Sequence, residues 1–126
     1  KTALIFQECN GKVRTFSYSQ LNKEINKTAN LFLDLGIKKG EKVAIQLRNS
    51  PEFLMCWFGL AKIGAVMVPM NTEYTKDECN YIMTKCGGIS TVVVSEEFLP
   101  IFINGPNDQS VRNIFADLAD CFIGSI

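Results

Sequence analysis

The groups able to do chemistry in this 126-residue sequence are five thiols (Cys9, Cys56, Cys79, Cys86 and Cys121), two adjacent acidic pairs (Asp77-Glu78 and Glu96-Glu97), and polar residues that follow short apolar runs. Histidine is absent, which removes the commonest general base and the commonest neutral metal ligand. A nucleophilic thiol would need a base or a cation to lower its pKa, and for Cys79 and Cys86 the lysines near in sequence are Lys76 and Lys85. Packing is therefore the better reading of Cys56, Cys79 and Cys86. The odd cysteine count and the lack of any C-x-x-C pair argue against a disulfide framework and a zinc site. Reduced thiols in a cytoplasmic protein are the simplest reading. The residues suggest no catalytic group and no metal ligand.

The acidic pairs sit where helices are predicted to start, so the expectation for both is favourable interaction with a helix N-terminus rather than acid/base work. Asn49, Asn71, Thr72 and Tyr74 stand out for a different reason. They follow the C-terminal ends of predicted strands, where open parallel sheets place ligand crevices. Neither G-x-G-x-x-G nor G-x-x-x-x-G-K-[ST] occurs, so no glycine-rich loop brings backbone N–H groups up to a phosphate. Gly36, Gly40, Gly64 and Gly87 read as helix stops and turns. Trp57 and Phe58 fall in a helix that is apolar nearly all round, and are expected to fill a core.

The elements that must position these groups follow from local patterns. Two extended runs, Ala3 to Glu8 and Val13 to Phe16, flank Asn10-Gly11, a pair suited to a tight hairpin turn. Ser17 and Gln20 have capping-box spacing, and Leu21, Ile25, Ala29, Phe32 and Leu33 recur at helical spacing up to Gly36. Val43 to Leu47 reads as a strand covered on both faces. Ser50 and Pro51 open a helix that Gly64 ends, and whose composition calls for cover on more than one side. A strand from Ala65 to Val68, closed by Pro69, precedes a second capping box, Thr75 with Glu78. That helix carries Cys79, Ile82, Met83 and Cys86 on one face and stops at Gly87-Gly88. A strand from Thr91 to Val94, a short helix from Ser95, a turn over 105–108 and a strand near Val111 to Phe115 complete the pattern.

Strands alternating with helices imply βαβ units, hence an α/β fold with a mostly parallel sheet flanked by helices and preceded by a β-hairpin. The expected organisation is one unit over 1–126: the hairpin in 1–17, βαβ units in 18–116 and an unassigned tail in 117–126. With 47% hydrophobic and 21% charged residues the chain can bury a core, and thirteen basic residues balance thirteen acidic ones. That balance gives no electrostatic reason to bind nucleic acid. The apolar run around Phe53 to Ile63 falls short of the ~20 residues a bilayer span needs. Lys1 is not an initiator methionine, and the expectation is a piece cut from a longer chain. Such a piece should leave an edge strand and part of a helix face uncovered, with self-association or a homo-oligomer as the consequence.

Four segments carry a resemblance to a known superfamily. LAKIGAVMVPMN, Leu60 to Asn71, resembles the helix-glycine-strand signature of the adenylate-forming enzymes: acyl-CoA synthetases, peptide-synthetase adenylation domains and luciferases. FSYSQL (Phe16 to Leu21) is similar to the start of that superfamily's first helix. LGIKKGEKVAI (Leu35 to Ile45) matches the turn into its first core strand, and NSPEFLMCWFGLAKIGA (Asn49 to Ala65) follows in register. Within the superfamily, EINKTANLFLDLGIKKGEKVA and WFGLAKIGAVMVPMN look closest to crotonobetaine/carnitine-CoA ligases. Fatty-acyl-CoA ligases share much of this pattern.

The resemblance implies the N-terminal portion of a large AMP-binding domain, in a parent enzyme that uses ATP, Mg2+ and CoA. Such an enzyme joins a small carboxylic acid to AMP with release of pyrophosphate, and then to CoA as a thioester. It places the loop from Pro69 to Tyr74 where some relatives approach the CoA nucleotide, so Asn71, Thr72 and Tyr74 are candidate cofactor contacts. The parts that carry the family's chemistry are a Ser/Thr/Gly-rich loop ending in lysine, a Tyr-Gly-x-Thr-Glu segment, a ribose-binding aspartate and a lysine in a mobile C-terminal domain. None occurs here, and the chain alone is expected to be inactive. Two readings of another class stand beside this one: a stand-alone nucleotide- or CoA-binding module, and a purely structural or oligomerising fragment.

Overall fold

The computed structural model describes residues 1–102 and 113–116. Its first element is a hairpin, β1 (Thr2–Gln7) paired antiparallel with β2 (Val13–Ser17). The turn between them uses Gly11 at φ 89°, with the Glu8 N–H donating to the Lys12 carbonyl at 2.8 Å. The following helix, α1 (Tyr18–Asp34), starts in the expected capping box: Ser17 Oγ accepts from the Gln20 N–H, and Gln20 Oε1 accepts from the Ser17 N–H. It ends at Gly36, where the Ile37 N–H reaches back to the Phe32 carbonyl, a left-handed glycine stop with an apolar residue after it. Ile25, Ala29 and Phe32 are buried, but Leu33 points to solvent; residue 28, a threonine, takes the remaining place on the inner face.

Four parallel strands form the main sheet: β3 (Lys42–Gln46), β4 (Val66–Pro69), β5 (Ile89–Val94) and β6 (Asn113–Ala116), in spatial order β4-β3-β5-β6. Helix α2 (Pro51–Lys62) links β3 to β4, and α3 (Lys76–Cys86) links β4 to β5. A 3-10 turn over Glu96–Phe98 leads into the single-turn α4 (Leu99–Phe102). The expected α/β class and hairpin are thus present. The turn over 105–108 and the tail 117–126 lie outside the described residues.

Alternation along β3 sends side chains to two cores. Val43 and Ile45 join Phe32 of α1 and Met55, Cys56 and Leu60 of α2 on one face. Ala44 joins Cys79 and Met83 of α3, Val92 and Val94 of β5, and Phe102 on the other. The strand is covered on both faces, as its near-continuous apolar run implies. Pro69 closes β4 as its last residue; β4 has a hydrogen-bonded neighbour on one side only among the described residues, and an edge position tolerates a residue without an N–H.

One expectation fails in α2. Trp57 and Phe58 are 47% and 42% exposed, so this helix is covered on one side. The rings pack on each other instead: Trp57 and Phe58 stack at 5.5 Å between centroids, and Phe53 meets Trp57 edge-on at 6.5 Å. The covered side of α2 meets α1 closely. A Cβ on Gly59 would lie 3.1 Å from Thr28 Cγ2 and 3.2 Å from the Ala29 nitrogen. Lys62 binds the side-chain oxygens of Asn22 and Asn26 across the same interface. Arg14 on β2 meets Glu52 of α2 at 2.7 Å and ties the hairpin to the sheet layer.

Candidate functional site

All four strands of the main sheet run the same way, so the connections leaving β3, β4 and β5 emerge together at one end. The chain goes from β3 to β4 on one side and then crosses back to β5 on the other, which makes the gap between β3 and β5 the topological switch point. The groups at this end are Arg48 and Asn49 after β3, Asn71 to Tyr74 after β4, and Ser95 to Glu97 after β5. A cleft of about 440 Å³ opens at the ends of β3 and β4, bordered by Arg48, Asn49, Phe53, Asn71 and Thr72 among others.

The three predicted cofactor contacts divide. Asn71 and Thr72 border the cleft together with Asn49. Tyr74 borders a separate depression with Asp77, Glu78 and Tyr81, and packs against the second core. Asn71 also builds its own loop: its side-chain oxygen accepts from the Glu73 N–H at 2.9 Å, and its carbonyl accepts from the Tyr74 N–H at 3.0 Å. These bonds form an Asx-type turn that leads into the Thr75-Glu78 capping box of α3.

Three residues of this region escape the sequence pattern. Gln46, the last residue of β3, is fully buried, and its Nε2 donates 3.0 Å to the Asn71 carbonyl while facing Cys79 Sγ at 3.7 Å. Its Oε1 has no hydrogen-bond partner among the described residues. The amide orientation is fixed, because the Asn71 carbonyl can only accept. Arg48 and Glu97, 49 positions apart, form a two-bond ion pair: Nε to Oε1 at 2.7 Å and Nη2 to Oε2 at 3.2 Å. The Arg48 guanidinium also lies 5.4 Å from the centre of the Phe98 ring. The strand-end position that singles out Asn49 could have found Arg48. Nothing in the sequence pairs it with Glu97.

This pair spans the switch point. The hydrogen bonds and charge of Glu97 raise the Arg48 pKa, and Arg48 in turn holds the Glu97 carboxyl below its usual range. The expected helix-start role of the acidic pairs therefore holds for Glu78 but not for Glu97. The turn at Glu96 is only three residues long, Ser95 makes no side-chain cap bond, and the Glu97 carboxylate is drawn to the guanidinium instead.

Cys56, Cys79 and Cys86 behave as packing groups, while Cys9 is exposed. Cys56 and Cys79 are fully buried and Cys86 is half-buried against the second core. Burial pushes the Cys56 thiol pKa well up, with a smaller push from Glu52. Burial likewise raises Cys79, partly offset by the Gln46 amide. Among the described residues no three Cys, Asp or Glu side chains gather as a metal site would need. Among the described residues the cleft has one cationic lining residue, Arg48, and Glu97 already neutralises it. This donor set does not fit a magnesium-bound triphosphate, whose charge needs several aimed donors.

Comparison with known proteins agrees with this architecture. The family model described as "AMP-binding enzyme" matches residues 1–119. The crotonobetaine/carnitine–CoA ligase of Salmonella typhimurium is 53% identical over 110 residues, covering 87% of this chain and 21% of the relative. The enzyme of that name from Salmonella paratyphi A is 55% identical over 126 residues, covering 98% of this chain and 23% of the relative. The chain thus spans between a fifth and a quarter of the length of these curated relatives. Among solved structures, the Mycobacterium tuberculosis fatty acyl CoA synthetase superposes with a TM-score of 0.80 at 29% identity, over 87% of this chain and 23% of that one. With the family model covering nearly all of its length, the chain belongs to the AMP-binding enzyme family.

Proposed function

We propose that these residues are the N-terminal part of an ATP-dependent, AMP-forming acid-CoA ligase, a cytoplasmic enzyme acting on crotonobetaine or carnitine. The single observation that carries this reading is the identity of 53–55% to ligases so named, against 29% to a fatty acyl CoA synthetase. In the parent, ATP and Mg2+ would be held by segments this sequence does not contain. The 126 residues would supply a scaffold wall and, with Asn71, Thr72 and Tyr74, a loop facing the CoA nucleotide. The cleft beside Asn71 and Thr72 supports the CoA side of this reading. Tyr74 takes part through its N–H, which fixes the Asn71 carbonyl.

Calorimetric titration of the 126-residue chain separates the two cofactors. Weak CoA binding that is lost in Asn71→Ala and Thr72→Ala, with no heat from ATP, is the expected result. Tight ATP binding would instead favour a stand-alone nucleotide-binding module. The downstream coding sequence is a second check: a parent without a Ser/Thr/Gly-rich loop ending in lysine would rule out the ligase.

A further inference from the structure

We infer that Glu97 is a built-in counter-ion occupying Arg48, and that a phosphate-bearing ligand entering the cleft must displace this carboxylate to reach the guanidinium. Among the described residues Arg48 is the cationic residue of the cleft lining, and its pairing with Glu97 spans the switch point between β3 and β5, next to the cleft at the ends of β3 and β4. Two of its donors, Nε and Nη2, are taken by the two oxygens of Glu97. That side-on fork is the geometry in which a guanidinium would otherwise grip a phosphate. Glu73, on the neighbouring loop, adds a second negative charge acting on the same group. With Glu97 in place the mouth of the cleft carries no net positive charge to attract an anion.

Displacement is feasible because the pair is open to solvent, with the two side chains 60% and 48% exposed. An ion pair in water is weak and its partners exchange readily. Phe98 keeps the guanidinium in place when the carboxylate leaves, since the ring contact does not depend on Glu97. The device is therefore a latch: Glu97 lowers affinity for free phosphate-bearing molecules without blocking the cleft. It rests on the reading of this cleft as facing the CoA nucleotide, and the test below separates the two.

The experiment titrates the 126-residue chain, Glu97→Gln, Arg48→Gln and the double variant with CoA and, separately, with inorganic pyrophosphate at low salt. Thermal melting of each serves as a check on folding. Glu97→Gln is expected to bind both probes roughly 3- to 10-fold more tightly than the unaltered chain, a gain limited by the weakness of an exposed pair. The double variant should lose that gain, and raising the salt to about 0.5 M should shrink it. Equal affinities for Glu97→Gln and the unaltered chain, or binding of neither probe, would overturn the latch. CoA binding that Glu97→Gln leaves unchanged would spare the CoA reading and sink the latch. Tightened pyrophosphate binding without CoA binding would spare the latch and sink the CoA reading.

Discussion

Gln46 Nε2 lies 3.0 Å from the carbonyl oxygen of Asn71, so a fully buried side chain at the end of β3 holds the loop that follows β4. The same carbonyl accepts from the Tyr74 N–H, and the Met70 N–H donates to the Ile45 carbonyl at 2.8 Å. The loop is thereby fixed to the end of β3 at two points and closed on itself by a third bond. Gln46 Oε1 remains unpaired among the described residues, which carries a cost of its own.

Two substitutions at Gln46 should separate these effects. Gln46→Leu removes a useful donor and an orphaned acceptor together, so a net loss of only about 1 kcal/mol is expected. Gln46→Glu faces a carboxylate toward the Asn71 carbonyl in a buried place, and a loss of about 3 kcal/mol or more should follow at pH 7. Urea unfolding midpoints check both. Equal stability of the glutamate variant and the unaltered chain would remove Gln46 as the anchor of this loop.

Gly59 tests the contact between α1 and α2. Alanine is favoured over glycine within a helix by about 1 kcal/mol, but its methyl group would sit 3.2 Å from the Ala29 backbone nitrogen, which cannot swing away as a side-chain tip can. Overpacking of this kind costs about 1–3 kcal/mol, so Gly59→Ala should be net destabilising by about 1 kcal/mol. A raised melting temperature would show that the helices are free to separate.

The buried Cys56 thiol gives a pH dependence with a definite sign. Its folded pKa lies above the unfolded value of about 8.5. Its contribution is therefore fully present below that pH and is lost as pH rises, because only the unfolded chain releases the proton. The slope should be about 1.4 kcal/mol per pH unit for one thiol. Denaturation between pH 7.5 and 10 should show a shallower decline in Cys56→Ala than in the unaltered chain; parallel declines would contradict the assignment.

Phe32 and Trp57 should differ in how much stability depends on them. Phe32 is fully buried between α1 and the sheet, and Phe32→Ala should cost about 3–5 kcal/mol. Trp57 lines a shallow groove with Ala61, Ala65, Met67 and Pro69 beside the edge strand β4. Trp57→Glu should cost less than about 1 kcal/mol and reduce self-association measured by sedimentation. An unchanged sedimentation profile would free the aromatic face from any part in association.

How far the sequence disclosed this structure depended on whether the governing interaction was local. The Ser17-Gln20 and Thr75-Glu78 boxes, the Ser50-Pro51 helix start and the Gly36 and Gly64 stops involve residues within a turn or two of each other, and all were legible. The strand order was not, because β3 and β5 meet across more than forty intervening residues and no local pattern encodes that pairing. The exposure of Trp57 and Phe58 was misjudged for a related reason: an all-round apolar helix signals a need for cover without saying whether these residues provide it. The strand-end rule drew attention to Asn49, Asn71 and Thr72, which border the cleft, and to Tyr74, which does not. It could not see that Gln46 anchors Asn71 or that Glu97 occupies Arg48, since both relationships are created by the sheet.

On the proposed function, these residues are the scaffold of an acid-CoA ligase whose chemistry depends on segments outside them. ATP/pyrophosphate exchange, run in parallel on the full-length parent and on the 126-residue chain with crotonobetaine, carnitine and a fatty acid, tests it most directly. Exchange by the parent with crotonobetaine or carnitine, and none by the chain alone, is the expected outcome. Exchange by the isolated chain, or a parent silent with every carboxylate, would contradict it.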